Sequence, residues 1–238
     1  MEPSTAKIGR YTVSYFNKKE LKNLKEEIFQ NEIYSVDLNR EKGRKISILD
    51  VGSYIGLSVI YFKNRYPDSN IACFEPNPNV LPLLKENIFY NNLEDVKIHS
   101  VAIAKDSGQK KFYIDRSGRK AFSTASFRKN AWNGKQESTA IEVNTAPLSK
   151  YVNGRIDLVK MDIEGAEQEV LKELQEKACY KYIENIIIEY HPIKGQNINN
   201  IVKILKDGNF TLSYYQDGKT LENPCEDLIL IVAKKRAK

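Results

Sequence analysis

The stretch "ISILDVGSYIG", residues 46–56, decides how the chain is read. An apolar run ends in an acid, Asp50, and glycines follow at positions 52 and 56. Such a run has the look of a buried strand, and the glycines let the chain turn tightly and let a ligand approach the main chain. A nicotinamide-type loop would place three glycines as G-x-G-x-x-G. Here the spacing is D-x-G-x-x-x-G, with the acid ahead of the turn. Asp50 would repel a pyrophosphate but not a cationic ligand.

Outward from this loop the pattern alternates. "LSVIYFKNRY" has helical spacing through Leu57, Ile60 and Tyr61, and "NIACFE" is a second strand. "PNPNVLPLLKENIFYNN" is helical, with Pro78 near its first turn, and "VKIHSVAIA" is a strand with a break. "RIDLVKMDI", the helix "EGAEQEVLKELQEK" and the strand "IENIIIEYH" repeat the alternation. A helix over "NINNIVKILKDGNF" stops at Gly208, and the strands "FTLSYY" and "DLILIVAKK" close the chain. Strand-helix alternation ending in a strand pair predicts an α/β doubly wound sheet with one antiparallel strand near its edge.

Two segments stand outside that rhythm. Residues 1–40 read as a helical accessory segment, because Leu21, Leu24 and Ile28 fall at i, i+3 and i+7. The main domain is then 41–238. Within it, residues 104–150 form an irregular excursion of short strands, the kind of insertion that builds a substrate-side wall. Its stretch "RSGRKAFSTASFRKNAW" sets Arg116, Arg119, Lys120, Arg128 and Lys129 beside Phe122, Phe127 and Trp132. Those residues could grip a sugar or an anionic group, or form a solvated loop with a small core of its own.

The chain has 238 residues, 41% of them apolar and 29% charged, which suits a soluble globular protein with a sizeable core. No apolar run is long enough to span a membrane. The first residues lack the layout of a secretory signal, and Cys73, Cys179 and Cys225 are scattered without metal-ligand spacing. Cytoplasmic localisation is expected. The net charge of +6 admits a nucleic-acid partner, but Lys-rich surfaces also serve solubility. The basic tail "AKKRAK" has no aromatic platform beside it.

In open α/β sheets, ligands sit beyond the carboxyl ends of the strands. Asp50, Glu75, Asp162 and Glu189 each follow an apolar strand run. Glu75 ends the strand after the glycine loop, where a carboxylate can accept both hydroxyls of a ribose. A ligand with a ribose, a positive centre and no phosphate matches S-adenosylmethionine.

"LDVGSYIG", "CFEPNPNVLPLLKENIFYNN", "VAIAKDSG", "DLVKMDIEGAEQEVL" and "IIIEYHP" occur in an order that resembles the FkbM family of S-adenosylmethionine-dependent methyltransferases, over roughly residues 46–192. The family's K-x-D-x-E-G-x-E run is matched by Lys160, Asp162, Glu164, Gly165 and Glu167, and its Glu-x-His by Glu189 and His191. The resemblance implies a class I methyltransferase fold with a seven-stranded, Rossmann-like sheet. It also implies O-methylation of a hydroxyl on a sugar, glycan or small metabolite. By position, Asp50, Gly52, Tyr54 and Gly56 would surround the cofactor's methionine and ribose end. Glu75 would hold the ribose, flanked by Pro76 and Asn77, and Val101 and Ala102 would pass near the adenine.

Removal of a proton from the acceptor needs a base, and the candidates are Asp162, Glu164, Glu189 and His191. The same acids with the histidine could hold Mg²⁺ or Mn²⁺, an option allowed but not favoured. Lys160 could hold an anionic group or pair with a neighbouring acid, and His99, inside a strand run, reads as structural. The alternatives are an RNA or protein methyltransferase using the basic surface, or a non-catalytic binding module that kept the fold. Nothing in the residues indicates the oligomeric state.

Overall fold

The computed structural model describes residues 2–38, 41, 43–115, 125–129 and 138–236. Most of the basic and aromatic excursion noted above lies outside them. The chain opens with a hairpin, β1 (Ser4–Ile8) and β2 (Tyr11–Tyr15), turning at Gly9-Arg10. Helix α1 (Lys18–Lys25) follows, capped by the Asn17 side chain, and continues as a π-helical turn over Glu26–Gln30. The alternating core begins with β3 (Ser47–Val51), α2 (Leu57–Arg65), β4 (Asn70–Phe74), α3 (Leu81–Tyr90) and β5 (Val96–His99). A side sheet holds β6 (Ala102–Ile103), β7 (Gly108–Asp115) and β8 (Ser138–Ala146). The chain ends with β9 (Leu158–Met161), α4 (Glu167–Glu176), β10 (Asn185–Tyr190), α5 (Ile198–Asp207), β11 (Phe210–Gln216), β12 (Lys219–Leu221) and β13 (Ile229–Lys235).

The main sheet has the order β12-β11-β13-β10-β9-β3-β4-β5. The β5-β4-β3-β9-β10 block is parallel, and β13 runs antiparallel to both of its neighbours. That is the doubly wound arrangement expected of the sequence. The eighth strand, β12, is a three-residue hairpin return on β11 that extends the edge beyond the expected seven. The break in "VKIHSVAIA" is a change of sheet, since β5 pairs with β4 whereas β6 pairs with β8. The proline inside the first turn of α3 is Pro82; Pro78 lies in the turn before it.

Residues 2–38 share the main core. Ile8, Tyr11, Val13, Leu21, Ile28 and Tyr34 pack in one buried cluster with Leu57, Ile60 and Phe62 of α2. This explains why α2 is buried all round: the sheet covers one face and the N-terminal segment the other. Hairpin and helix are joined through two amides of α3. Asn87 accepts from Ser14 N at 2.6 Å and donates to Ser14 O at 3.1 Å and to Ile55 O at 2.8 Å. Asn91 accepts from Thr12 N and donates to Thr12 O, at 2.8 and 2.7 Å. On the other face of the sheet, α4 and α5 bury Val170, Leu171, Leu174, Ile201 and Leu205 against β9, β10 and β13.

Candidate active site

A cavity of about 480 Å³ opens beyond the carboxyl ends of β3, β4, β9 and β10. The turn after β3 forms its floor. Gly52 has φ +83°, and a Cβ there would stand 1.8 Å from the carbonyl oxygen of Asp162, so only glycine fits. Tyr54 also adopts a left-handed backbone, φ 48°, and its phenol donates to Glu20 Oε2 at 2.6 Å. Glu75 is 6% exposed and accepts from Tyr54 N at 2.9 Å through Oε2 and from Asn77 N at 2.8 Å through Oε1. Each oxygen keeps a lone pair for a further donor. Burial pushes Glu75 up to about 7, against the pull of those two amides.

Gly52, Tyr54, Glu75, Pro76, Val101 and Ala102 line this cavity, as do Asp162, Glu164 and Glu189. Ile103, next to Ala102, lines it too. Three of the expected positions are not among the lining residues. Asp50 is fully buried behind the loop, because strand alternation turns it to the α2 face with Ile48. There it accepts from Ser58 Oγ at 2.6 Å and faces Lys160 Nζ at 3.6 Å. Gly56, with φ 87°, begins α2, and a Cβ there would press on Leu84 Cδ1 at 2.7 Å. Asn77 shapes the turn before α3, accepting from Asn79 N at 3.0 Å. These three support the cavity from behind.

The "KMDIEGAE" run forms the opposite wall. Lys160 is buried and donates to the Gly52 carbonyl at 2.6 Å and to Asp162 Oδ2 at 3.4 Å, so one ammonium ties β9 to the glycine loop. Glu164 and Gly165 both have positive φ, 55° and 101°, and their turn brings the Glu164 carboxyl back toward β10. Helix α4 starts at Glu167, whose carboxylate accepts from Gly165 N, just ahead of the helix, at 3.1 Å.

His191, 2% exposed, lies just behind the wall. Its Nδ1 pairs with Glu167 Oε1 at 2.7 Å, and its Nε2 faces Glu164 Oε2, Asp162 Oδ1 and Glu189 Oε1 at 3.7, 3.8 and 3.9 Å. Burial alone would lower His191, but the bond to Glu167 and the carboxylate of Glu164 outweigh it and carry the imidazole to about 10. Burial raises Glu189 to about 8, with Asp162 adding to the rise and His191 opposing it. Burial raises Glu164 as well, with His191 opposing the rise. His99 is structural, stacked on Phe74 with ring centroids 5.0 Å apart.

The sequence reading missed the N-terminal contribution to the wall. Asn17, Glu20, Asn23, Glu27 and Tyr34 all line the cavity. Glu20, Asn23 and Glu27 repeat the i, i+3, i+7 spacing of the apolar stripe one position earlier, which was the available signal. From the excursion, Phe112, Ala125 and Phe127 face the cavity, and Ser126 Oγ donates to the Glu164 carbonyl at 2.6 Å.

An open α/β sheet of this order, with a buried acid after β4 facing the cavity, is a class I methyltransferase fold. The Methyltransferase FkbM domain model matches residues 50–212, and the chain belongs to the FkbM methyltransferase family. Among curated relatives, Methyltransferase 1 of Beauveria bassiana is 29% identical over 62% of this chain and 66% of its own length. Methyltransferase sdnD of Sordaria araneosa is 26% identical over 89% of this chain and 90% of its own. The 31-O-demethyl-FK506 methyltransferase FkbM of Streptomyces tacrolimicus is 25% identical over 87% and 88%. A solved structure assigned as an rRNA methylase from Clostridium thermocellum shares the fold at TM-score 0.51 and 9% identity, covering 95% of this chain and 99% of that one.

S-adenosylmethionine fits this cavity. Gly52 lines it with main chain, Glu75 has lone pairs for ribose hydroxyls, and Asp162, Glu164 and Glu189 on its wall suit a positive sulfur. Among the described residues, no helix is long and apolar enough to cross a membrane.

Proposed function

We propose that this enzyme transfers a methyl group from S-adenosylmethionine to a hydroxyl of a small, uncharged acceptor such as a sugar, glycan or polyhydroxylated metabolite. The observation that carries the acceptor class is a second cavity of about 710 Å³ that shares Asn23, Glu27 and Glu189 with the first. Among the described residues its wall holds Glu26, Glu27, Glu32, Glu189 and Asp217 against one cation, Lys234. A phosphodiester chain would meet like charge there, which weighs against the RNA reading that the net charge of +6 admits. Two relatives carry names that specify oxygen: the 31-O-demethyl-FK506 methyltransferase and the 2-O-methyltransferase NoeI of Sinorhizobium fredii.

When bound, the cofactor would supply a methyl group on positive sulfur to the acceptor oxygen, the sulfur keeping the electron pair of the broken C–S bond. Glu75 would hold the ribose, and Gly52, which lines the cavity, would stand beside the methionine end. Glu189, on the wall common to both cavities, receives the hydroxyl proton as general base. Most of the rate comes from aligning donor and acceptor across that wall. Three cysteines outside any disulfide support residence in a reducing compartment, the cytoplasm, as part of this reading.

Calorimetric titration of S-adenosylmethionine tests the donor half. The wild type should bind one equivalent, and Glu75→Ala should bind at least tenfold more weakly. A wild type that binds none would sink the proposal. For the acceptor half, radiolabelled methyl should pass to neutral hydroxylated acceptors and not to RNA. Transfer to RNA alone would reverse the acceptor class.

A further inference from the structure

We infer that Asp162, Glu164 and His191 form a binding site for one hard divalent cation, Mn²⁺ or Mg²⁺, on the wall between the two cavities. The ligand atoms of these three residues lie within 4.8 Å of one another. An octahedral ion about 2.1 Å from each ligand sets neighbouring ligands about 3.0 Å apart and opposite ones about 4.2 Å apart. The distances from His191 Nε2 to Glu164 Oε2 and Asp162 Oδ1, 3.7 and 3.8 Å, fall inside that span. They are too long for hydrogen bonds, so these atoms face a common point without bonding one another.

Two observations beyond the grouping of acids point to an ion. Glu164 Oε2 is buried, aimed at this point, and has no hydrogen-bond partner. A buried carboxyl oxygen without a hydrogen bond is costly, and a bound cation would supply its missing partner. In addition, His191 is held from behind, its Nδ1 bonded to the fully buried Glu167 at 2.7 Å. A carboxylate gripping one ring nitrogen while the other faces acids is the arrangement that orients metal-ligating histidines.

The charge balance agrees. Asp162, Glu164, Glu167 and Glu189 crowd one imidazole, and among the described residues the one ammonium beside them, Lys160, is shared with Asp50 and the Gly52 carbonyl. One imidazole and carboxylate oxygens suit a hard ion such as Mn²⁺ or Mg²⁺. Glu189 Oε1, 3.9 Å from Nε2, stands at the rim, where an acceptor hydroxyl could touch both ion and base. The ion would lower the pKa of that hydroxyl and fix its direction. That role rests on the methyltransferase reading, whereas binding of the ion does not.

The test is titration of chelator-stripped, full-length protein with Mn²⁺, followed by the loss of the free-ion paramagnetic resonance signal without any cofactor present. The wild type should take up one Mn²⁺ per chain. Glu164→Gln and Asp162→Asn should each weaken uptake at least tenfold, with Glu94→Gln, on the remote surface, within twofold of wild type. Melting curves establish that each variant is folded, and the wild-type stoichiometry decides the matter even where a variant is not. No stoichiometric uptake by the wild type, or uptake unaltered in folded Glu164→Gln, overturns the site. S-adenosylmethionine titrated into the same stripped protein separates the two ideas: cofactor binding without Mn²⁺ uptake removes the metal site and leaves the methyltransferase reading intact.

Discussion

The Tyr54 hydroxyl donates to Glu20 Oε2 at 2.6 Å, so the loop that floors the cofactor cavity is fastened to a helix 34 residues earlier in the chain. Tyr54 sits in a left-handed conformation that costs energy for any residue with a side chain. A charge-assisted bond of this kind contributes about 1.5–3 kcal/mol. Tyr54→Phe should therefore lower stability by about 1–2 kcal/mol and weaken S-adenosylmethionine several-fold. Urea unfolding and calorimetry read the two effects. Unchanged cofactor affinity would show that α1 merely covers the loop.

Gly52→Ala should be far worse than Gly9→Ala. Both glycines have positive φ, 83° and 56°, and so carry a similar backbone penalty. Only at Gly52 does the new Cβ meet backbone, the Asp162 carbonyl at 1.8 Å, while nothing lies within 4 Å of the one at Gly9. The expected cost is roughly 1 kcal/mol at Gly9 and about 3 kcal/mol or more at Gly52, with cofactor binding lost only there. Equal melting temperatures for the two variants would contradict the close approach of the two loops.

The acids of the site make stability depend on pH in a particular direction. Unfolded, glutamates release their protons near 4.5; folded and ligand-free, Glu75 holds its own to about 7 and Glu189 to about 8. His191 loses its proton near 6.5 unfolded and near 10 folded. In each case the folded chain binds more protons across the interval, so stability falls as pH rises from about 5 through 8 and beyond. A loss on the order of 2 kcal/mol lowers Tm by roughly 4–8 °C for a domain of this size. Melting of metal-free, cofactor-free protein between pH 5 and 9 checks this, and a Tm that climbs over that range would refute it.

Lys160→Met should destabilise the chain by about 3–5 kcal/mol, because it leaves Asp50 ionised and buried without its cation. Adding Asp50→Asn should recover part of that loss, since the stranded charge is then gone. Denaturant midpoints for the two singles and the double variant give the coupling. Additive losses would mean that Lys160 acts through Gly52 and Asp162 alone.

Most of this architecture was legible in the residues because it depends on local chemistry. Period and glycines mark β3 and its turn, and acids at strand ends mark Glu75, Asp162 and Glu189. What sequence could not show was which side of the sheet an acid serves. Asp50 and Glu75 look alike as strand-terminal carboxylates, yet one faces α2 and the other the cavity. The first hairpin was passed over although Ile8, Tyr11, Val13 and Tyr15 surround Gly9-Arg10, because the helical stripe after it is the stronger signal. Glu167 became visible as the partner of His191 only once β10 and α4 were side by side.

The paired amides of Asn87 and Asn91 have a consequence for how the molecule ends. Four residues of helix rise about 6 Å, close to the repeat of two residues along a strand. Two side chains of α3 thus answer the backbone of Thr12 and Ser14 as a neighbouring strand would, while offering no backbone of their own for a further strand to join. An open edge is a template on which a second molecule can add itself, and here the template is used up within one chain.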